Sequence, residues 1–151
     1  MFLLKKAIEI AIGAHRGQKD RAGAPYILHP LRVMLRLESD TEMIVAILHD
    51  VIEDSSWTAD QLREEGFSEE IVEAVENLTK RDGEPYGDFI ERAKQSPLSH
   101  RVKIADLKDN MDMSRLSRLT EDDMTRFERY HRALQTLSRE STSGLRPVAR
   151  P

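Results

Sequence analysis

The sequence predicts an all-α protein, a single compact bundle of about seven or eight helices. Aromatic residues make up only 5% of the 151 residues, whereas Ala, Leu, Ile, Met, Glu and Arg are plentiful. Runs of alternating β-branched residues are missing, so helices are favoured over strands. The length is that of one domain. We expect residues 1–140 to form this domain and the polar, Pro-containing residues 141–151 to be a disordered tail.

The first part of the chain is predicted to hold three helices. The first covers residues 2–16 and has a broad apolar face. Residues 17–28 contain two glycines and a proline, which indicate a structured loop or short hairpin. The second helix begins with Pro30, a residue that suits the first turn. The third, over 41–54, is apolar nearly all round and is therefore expected to lie in the core.

Capping and breaking signals divide the rest of the chain. Thr58 with Gln61, and Thr120 with Asp123, have the three-residue spacing of a capping box. A run of Asp, Gly, Glu and Pro at 82–85 ends a helix. These signals predict helices over about 58–66, 68–80, 86–95, 97–115 and 120–140.

The composition limits the class of function. The chain has no cysteine, which excludes disulfides, thiolate nucleophiles and Cys-ligated zinc and leaves His, Asp and Glu as metal ligands. The net charge of −4 gives no general reason to expect nucleic-acid binding. The first 15 residues lack the pattern of a signal peptide, and no apolar run reaches membrane-spanning length. We therefore expect a cytoplasmic protein without nucleic-acid or membrane partners, and the oligomeric state stays open.

A His-Asp pair stands inside the most apolar predicted helix. His49 and Asp50 are flanked by aliphatic residues on both sides, where burying two polar groups is costly unless they are compensated. A metal ion would compensate them. Successive helical residues point about 100° apart, so the pair can hold an ion only with ligands from other segments. His29, before Pro30, and Asp106, again among apolar residues, are the candidates.

Two imidazoles and two carboxylates form a mixed nitrogen and oxygen set that suits Mn²⁺, Fe²⁺ or Zn²⁺. Glu53 and Asp54 follow one helical turn after the pair, on the same side of the helix, where they are suited to orient or deprotonate a water molecule. Asn110 follows one turn after Asp106 and can hold a substrate or a ligand by hydrogen bonds.

The segments YILHP, HDVIED and KIADLKDNM, in this order and spacing, resemble the hydrolase domain of RelA/SpoT-type alarmone enzymes, including the small stand-alone hydrolases, within the HD phosphohydrolase superfamily. The resemblance spans about Ala7 to Leu116. It implies a metal-dependent phosphohydrolase that binds one divalent ion, usually Mn²⁺, and removes the 3′-pyrophosphate of the nucleotide (p)ppGpp. It also implies that the metal ligands are His29, His49, Asp50 and Asp106, that the water is handled by Glu53 and Asp54, and that Asn110 faces the substrate.

Three basic residues stand where this family binds nucleotide. Arg16, Lys19 and Arg21 carry charge that suits phosphate. The chain departs from the family pattern by acidic residues at Asp20, Asp109 and Asp112. Asp109 and Asp112 favour an alternative in which the substrate is another phosphorylated metabolite, such as NADPH or a nucleoside phosphate. A further alternative is a non-catalytic sensor that binds nucleotide.

Overall fold

A computed structural model describes residues 2–139 of the chain, and within them it contains helices and no β-strand. The predicted all-α fold class is confirmed. The predicted tail, 141–151, lies outside the described residues. The α-helices are α1 (Phe2–Ala14), α2 (Leu28–Met34), α3 (Asp40–Leu48), α4 (Val51–Asp54), α5 (Ala59–Glu64), α6 (Glu69–Leu78), α7 (Tyr86–Ala93), α8 (Pro97–Asn110) and α9 (Glu121–Arg139), with a short 3-10 helix at Met113–Arg115 before α9.

Hydrogen-bonded caps fix the beginnings of several helices. Thr58 and Gln61 form the predicted capping box of α5. At α9 the Asp123 amide donates to the Thr120 hydroxyl at 3.2 Å, and the Thr120 amide donates to the Asp123 carboxylate at 3.0 Å. Each pair satisfies amides that have no partner inside the helix.

The predicted single helix over 41–54 is wrong, because the chain breaks it between Leu48 and Val51. At the break the backbone of Asp50 has φ −103° and ψ −2°. Nδ1 of His49 donates to the Ala46 carbonyl at 2.6 Å, and the Asp50 carboxylate accepts from Tyr26. The apolar pattern continues through the break, so the sequence gives no sign of it. Because of the break, the adjacent side chains of His49 and Asp50 both face His29 and Asp106.

The core surrounds α3. Residues Ile44–Leu48 are all buried, and α3 packs against α1, α2, α6 and α8. A smaller apolar cluster joins α7 and α8 to α9 through Leu107, Ala133 and Leu137, with Ile90 beside them. The packing of α2 and α8 on α3 brings residues far apart in sequence to one place.

The predicted hairpin over 17–28 is present as two turns joined by an antiparallel bridge between Lys19 and Pro25. Gly23 has φ +84°, a conformation that only glycine adopts without strain. The Arg21 side chain fastens the hairpin to the first turn of α9, since its guanidinium donates to Asp123 at 2.7 Å and to Asp122 at 2.9 Å. Among residues 2–139 no helix is both long and apolar enough to cross a membrane.

Candidate metal and catalytic site

Four side chains predicted from the sequence meet where α2, the α3–α4 break and α8 come together. Nε2 of His29 lies 3.1 Å from Oδ1 of Asp106 and 3.7 Å from Oδ2 of Asp50. Nε2 of His49 lies 3.0 Å from Oδ2 of Asp50 and 3.6 Å from Oδ1 of Asp106. Both rings therefore turn Nε2 toward the same two carboxylates.

The second nitrogen of each ring, Nδ1, makes a hydrogen bond on the side opposite to Nε2. Nδ1 of His29 lies 2.7 Å from Oδ2 of Asp109, and Nδ1 of His49 lies 2.6 Å from the carbonyl of Ala46. A carbonyl and an ionised carboxylate can only accept, so both Nδ1 atoms carry the proton and Nε2 of each neutral ring keeps a lone pair. Among residues 2–139, the buried Nε2 of His49 has no partner in hydrogen-bonding geometry, although Oδ2 of Asp50 lies 3.0 Å away. A buried nitrogen of this kind, in a mixed nitrogen and oxygen set, fits a divalent transition metal.

Charge within the cluster is balanced by the rings. Burial alone would lower the pKa of His49, but the carboxylates of Asp50 and Asp106 outweigh it and raise that pKa well above its usual value. Burial would raise the pKa of Asp106, and the charges of Lys103 and the histidines lower it instead. Without an ion, the carboxylates favour the protonated form of His49, and the charge of Lys103 favours the ionised form of Asp106. A divalent ion would replace this charge and release protons.

Two residues that sequence reasoning missed hold the carboxylates. The buried Lys103 donates to Oδ2 of Asp106 at 2.7 Å and lies 4.6 Å from the centre of the Phe89 ring. The Tyr26 hydroxyl donates to Oδ2 of Asp50 at 2.5 Å. A signal for Lys103 was available, because it is a charged residue inside the same apolar run as Asp106.

Glu53 and Asp54 lie in the wall of the cavity in front of the cluster. Oε1 of Glu53 accepts from the Lys80 amide at 2.8 Å. Burial raises the pKa of Glu53 despite this hydrogen bond, and burial together with the charge of Asp50 raises the pKa of Asp54. Carboxylates with raised pKa values are closer to the range in which they exchange protons at neutral pH.

The cavity has a volume of about 410 Å³ and is bounded by the hairpin, α7, α8 and α9. Of the predicted substrate-binding residues, Lys19, Arg21 and Asn110 line it. Arg16 is exposed and does not belong to its wall. The Arg21 guanidinium is already paired with carboxylates of α9, and Nδ2 of Asn110 donates to Oδ1 of Asp106 at 2.8 Å.

Further cations and aromatic rings line the side of the cavity formed by α7 and α9. The Arg129 guanidinium lies 4.8 Å from the centre of the Tyr86 ring and 5.3 Å from that of Tyr130. Arg126 donates to the Tyr130 hydroxyl at 2.9 Å, and Lys80 faces the same cavity. Sequence reasoning did not single out these residues, because their place at the cavity depends on the packing of α9 against α7 and α8.

The three acidic residues that depart from the family pattern all make hydrogen bonds or ion pairs. Asp109 is completely buried and lies behind the cavity wall. Asp20 accepts from two amides of its own hairpin turn. Asp112 accepts from Ser114 and pairs with Arg115 at 2.9 Å. None of the three carboxylates projects into the cavity without a partner.

The fold and the cluster define an all-helical protein whose buried histidines and carboxylates fit a divalent metal at one end of a cavity. A family model described as HD domain matches residues 7–104, and the chain belongs to this family.

Curated relatives carry names from alarmone metabolism. The guanosine-3′,5′-bis(diphosphate) 3′-pyrophosphohydrolase of Aquifex aeolicus is 34% identical over 120 residues, 72% of this chain and 17% of that protein. The enzyme of the same name from Haemophilus influenzae is 44% identical over 77 residues, 48% of this chain and 11% of that protein. The chain thus spans less than a fifth of either relative.

The fold also matches a solved structure. That structure is described as a metazoan ortholog of SpoT that hydrolyzes ppGpp and plays a role in starvation responses. The match has a TM-score of 0.75 with 22% sequence identity and covers 91% of this chain and 86% of the other. At this identity the likeness shows a shared fold.

Proposed function

We propose that this protein is a metal-dependent phosphohydrolase that removes the 3′-pyrophosphate of (p)ppGpp, acting in the cytoplasm as a single HD domain over residues 1–140. The observation that carries the proposal is the buried cluster of two histidines and two aspartates that opens into a cavity lined with basic side chains. The names of the curated relatives support the choice of substrate.

The metal ligands in this proposal are His29, His49, Asp50 and Asp106. When bound, a divalent ion lowers the pKa of a water molecule and polarises a phosphate oxygen. Mn²⁺ is the proposed ion, because the donor set mixes imidazole with carboxylate and because the family resemblance points to it.

The residues around the ligands have separate tasks in this proposal. Glu53 and Asp54 orient the attacking water and accept its proton, since both carboxylates face the cavity and have raised pKa values. Lys103 holds Asp106 and Tyr26 holds Asp50, so the two carboxylates keep their orientation while the substrate enters.

Substrate phosphates are bound by cations of the cavity wall. Lys19, Lys80, Arg126 and Arg129 line the cavity, and none of them makes an ion pair within the described part of the chain that would have to be broken first. The predicted role of Arg21 in binding requires it to exchange Asp122 and Asp123 for phosphate. Asn110 contributes through its amide at the Asp106 end of the cavity, and Arg16 stays a prediction from sequence.

The test is a hydrolysis assay with purified protein loaded with Mn²⁺. We expect ppGpp to yield pyrophosphate and GDP, detected by chromatography. Asp106→Ala should abolish the reaction, whereas Asp112→Asn, which changes an acid of the cavity wall outside the cluster, should retain most of it. A folded, metal-loaded protein that releases no pyrophosphate from ppGpp contradicts the proposal.

The same assay separates the two alternatives. Turnover of NADPH or of a nucleoside phosphate in place of ppGpp would support a different phosphorylated substrate. That alternative depended on the acids at positions 109 and 112, and both carboxylates make hydrogen bonds or ion pairs with neighbouring groups. Tight binding of ppGpp without hydrolysis would support a sensor.

A further inference from the structure

Asp109 is a buried acid directly behind a proposed metal ligand. It lies on α8, and its side chain has no exposed surface. Oδ2 accepts the Nδ1 proton of His29 at 2.7 Å, on the side of the ring opposite to Asp50 and Asp106. The ring is thus held between one carboxylate behind it and two in front.

Arg32 holds this carboxylate in place. Nε of Arg32 donates to Oδ1 of Asp109 at 2.9 Å, and Nη2 donates to Oδ2 at 3.0 Å. Arg115 and Arg36 approach the same carboxylate at 3.6 Å and 3.9 Å. A planar guanidinium that binds both oxygens fixes the orientation of the carboxylate as well as its charge.

The two histidines of the cluster therefore differ in what lies behind them. His49 donates Nδ1–H to a neutral carbonyl, that of Ala46, whereas His29 donates to an anion that is held by an arginine. A carboxylate behind a ligating imidazole fixes the ring and strengthens Nε2 as a donor. The orientation of His29 thus depends on a side chain from another helix, whereas that of His49 depends on a carbonyl of its own helix.

We propose that Asp109 is a positioning residue, which fixes His29 so that Nε2 faces Asp50 and Asp106, and that Arg32 keeps Asp109 in the orientation this requires. The proposal rests on the proposed function, because it assumes that the cluster binds the metal. It explains why an acid stands at this position without adding negative charge to the cavity.

The experiment measures Mn²⁺ affinity of metal-stripped protein by isothermal titration calorimetry. Asp109→Asn should weaken binding by about 10-fold to 100-fold, the effect typical of the loss of a carboxylate behind a ligating histidine. The matched control is Asp82→Asn, which removes an exposed carboxylate before α7, outside the cavity wall and the cluster. The control should retain the wild-type affinity. Thermal unfolding of the metal-free variants reports whether each one is folded.

Arg32→Gln provides a second, independent measurement, because it leaves the His29–Asp109 hydrogen bond in place and Arg32 is partly exposed. We expect it to weaken Mn²⁺ binding less than Asp109→Asn does. If wild-type protein binds Mn²⁺ and Asp106→Ala abolishes binding, but Asp109→Asn and Arg32→Gln both keep full affinity, the positioning role is wrong and the proposed function stands. If wild-type protein binds no divalent metal, both proposals fail.

Discussion

The hydroxyl of Tyr26 donates to Oδ2 of Asp50 at 2.5 Å, and the same oxygen lies 3.0 Å from Nε2 of His49. The Tyr26 ring also lies beside two imidazoles, with ring centres 4.9 Å from His15 and 5.6 Å from His29. Tyr26 belongs to the hairpin, so this hydrogen bond connects the hairpin to the break between α3 and α4.

Tyr26→Phe removes the hydroxyl and keeps the ring. We expect the protein to stay folded, because a single hydrogen bond contributes only about 0.5 to 1.5 kcal/mol to stability. Mn²⁺ binding should persist, since none of the four ligands is changed. Turnover of ppGpp should fall about tenfold as Asp50 becomes less well oriented. Calorimetry and steady-state kinetics measure the two effects, and loss of metal binding in this variant would show that Tyr26 does more than orient Asp50.

Glu53→Gln and Asp54→Asn test the handling of water. Each variant removes a proton acceptor from the cavity wall without changing a proposed ligand. The loss of general base catalysis should lower kcat by about 10²-fold to 10⁴-fold, while Mn²⁺ affinity stays close to that of the wild type. Glu73→Gln, on the exposed side of α6, is the control. Full turnover in both variants would exclude these residues from the reaction.

The link between Arg21 and Asp123 can be tested by a double-mutant cycle. If the link is mainly structural, Arg21→Ala and Asp123→Ala each lower the melting temperature, and the double variant melts little below the weaker of the two. We expect this result, because Arg21 donates two hydrogen bonds to the nearly buried Asp123. Fully additive losses would show that the two side chains act independently. Measurement of KM for ppGpp in the same variants shows whether Arg21 also binds substrate.

A pH dependence of stability follows from the pairing of Glu84 with Arg92. Hydrogen bonds from Arg92 hold the pKa of Glu84 at about 2, below its usual value of 4.5. Because the folded pKa is lowered, this stabilisation is fully present above the unfolded pKa and is lost as the pH falls through the folded one. Glu84→Gln should therefore melt below the wild type at pH 7, and the difference should shrink between pH 4.5 and pH 2. A difference that stays constant over this range would contradict the ion pair.

The sequence was informative where local rules decide the structure. The Thr58 and Thr120 caps and the glycines of the hairpin follow from backbone chemistry within a few residues, and they formed as predicted. The gathering of His29 with His49 was predictable because polar residues in apolar segments need a common partner.

Other features depend on contacts between distant segments and could not be predicted in this way. At the break, His49 hydrogen-bonds to Ala46 and Asp50 to Tyr26, although the apolar pattern of the sequence continues through both residues. From the sequence, Asp109 was interpreted as an acid near the substrate. Only the packing of α8 against α2 shows that it faces His29 and Arg32.

The break between α3 and α4 should also make the buried positions next to it sensitive to substitution. The residues before it, Ile47 and Leu48, are completely buried, so a smaller side chain there leaves a space into which the broken helix can shift. Such a shift would move His49 and Asp50 together, although no polar group had been altered. In a screen of random variants for activity, aliphatic positions of α3 should therefore be nearly as sensitive as the charged residues of the cavity.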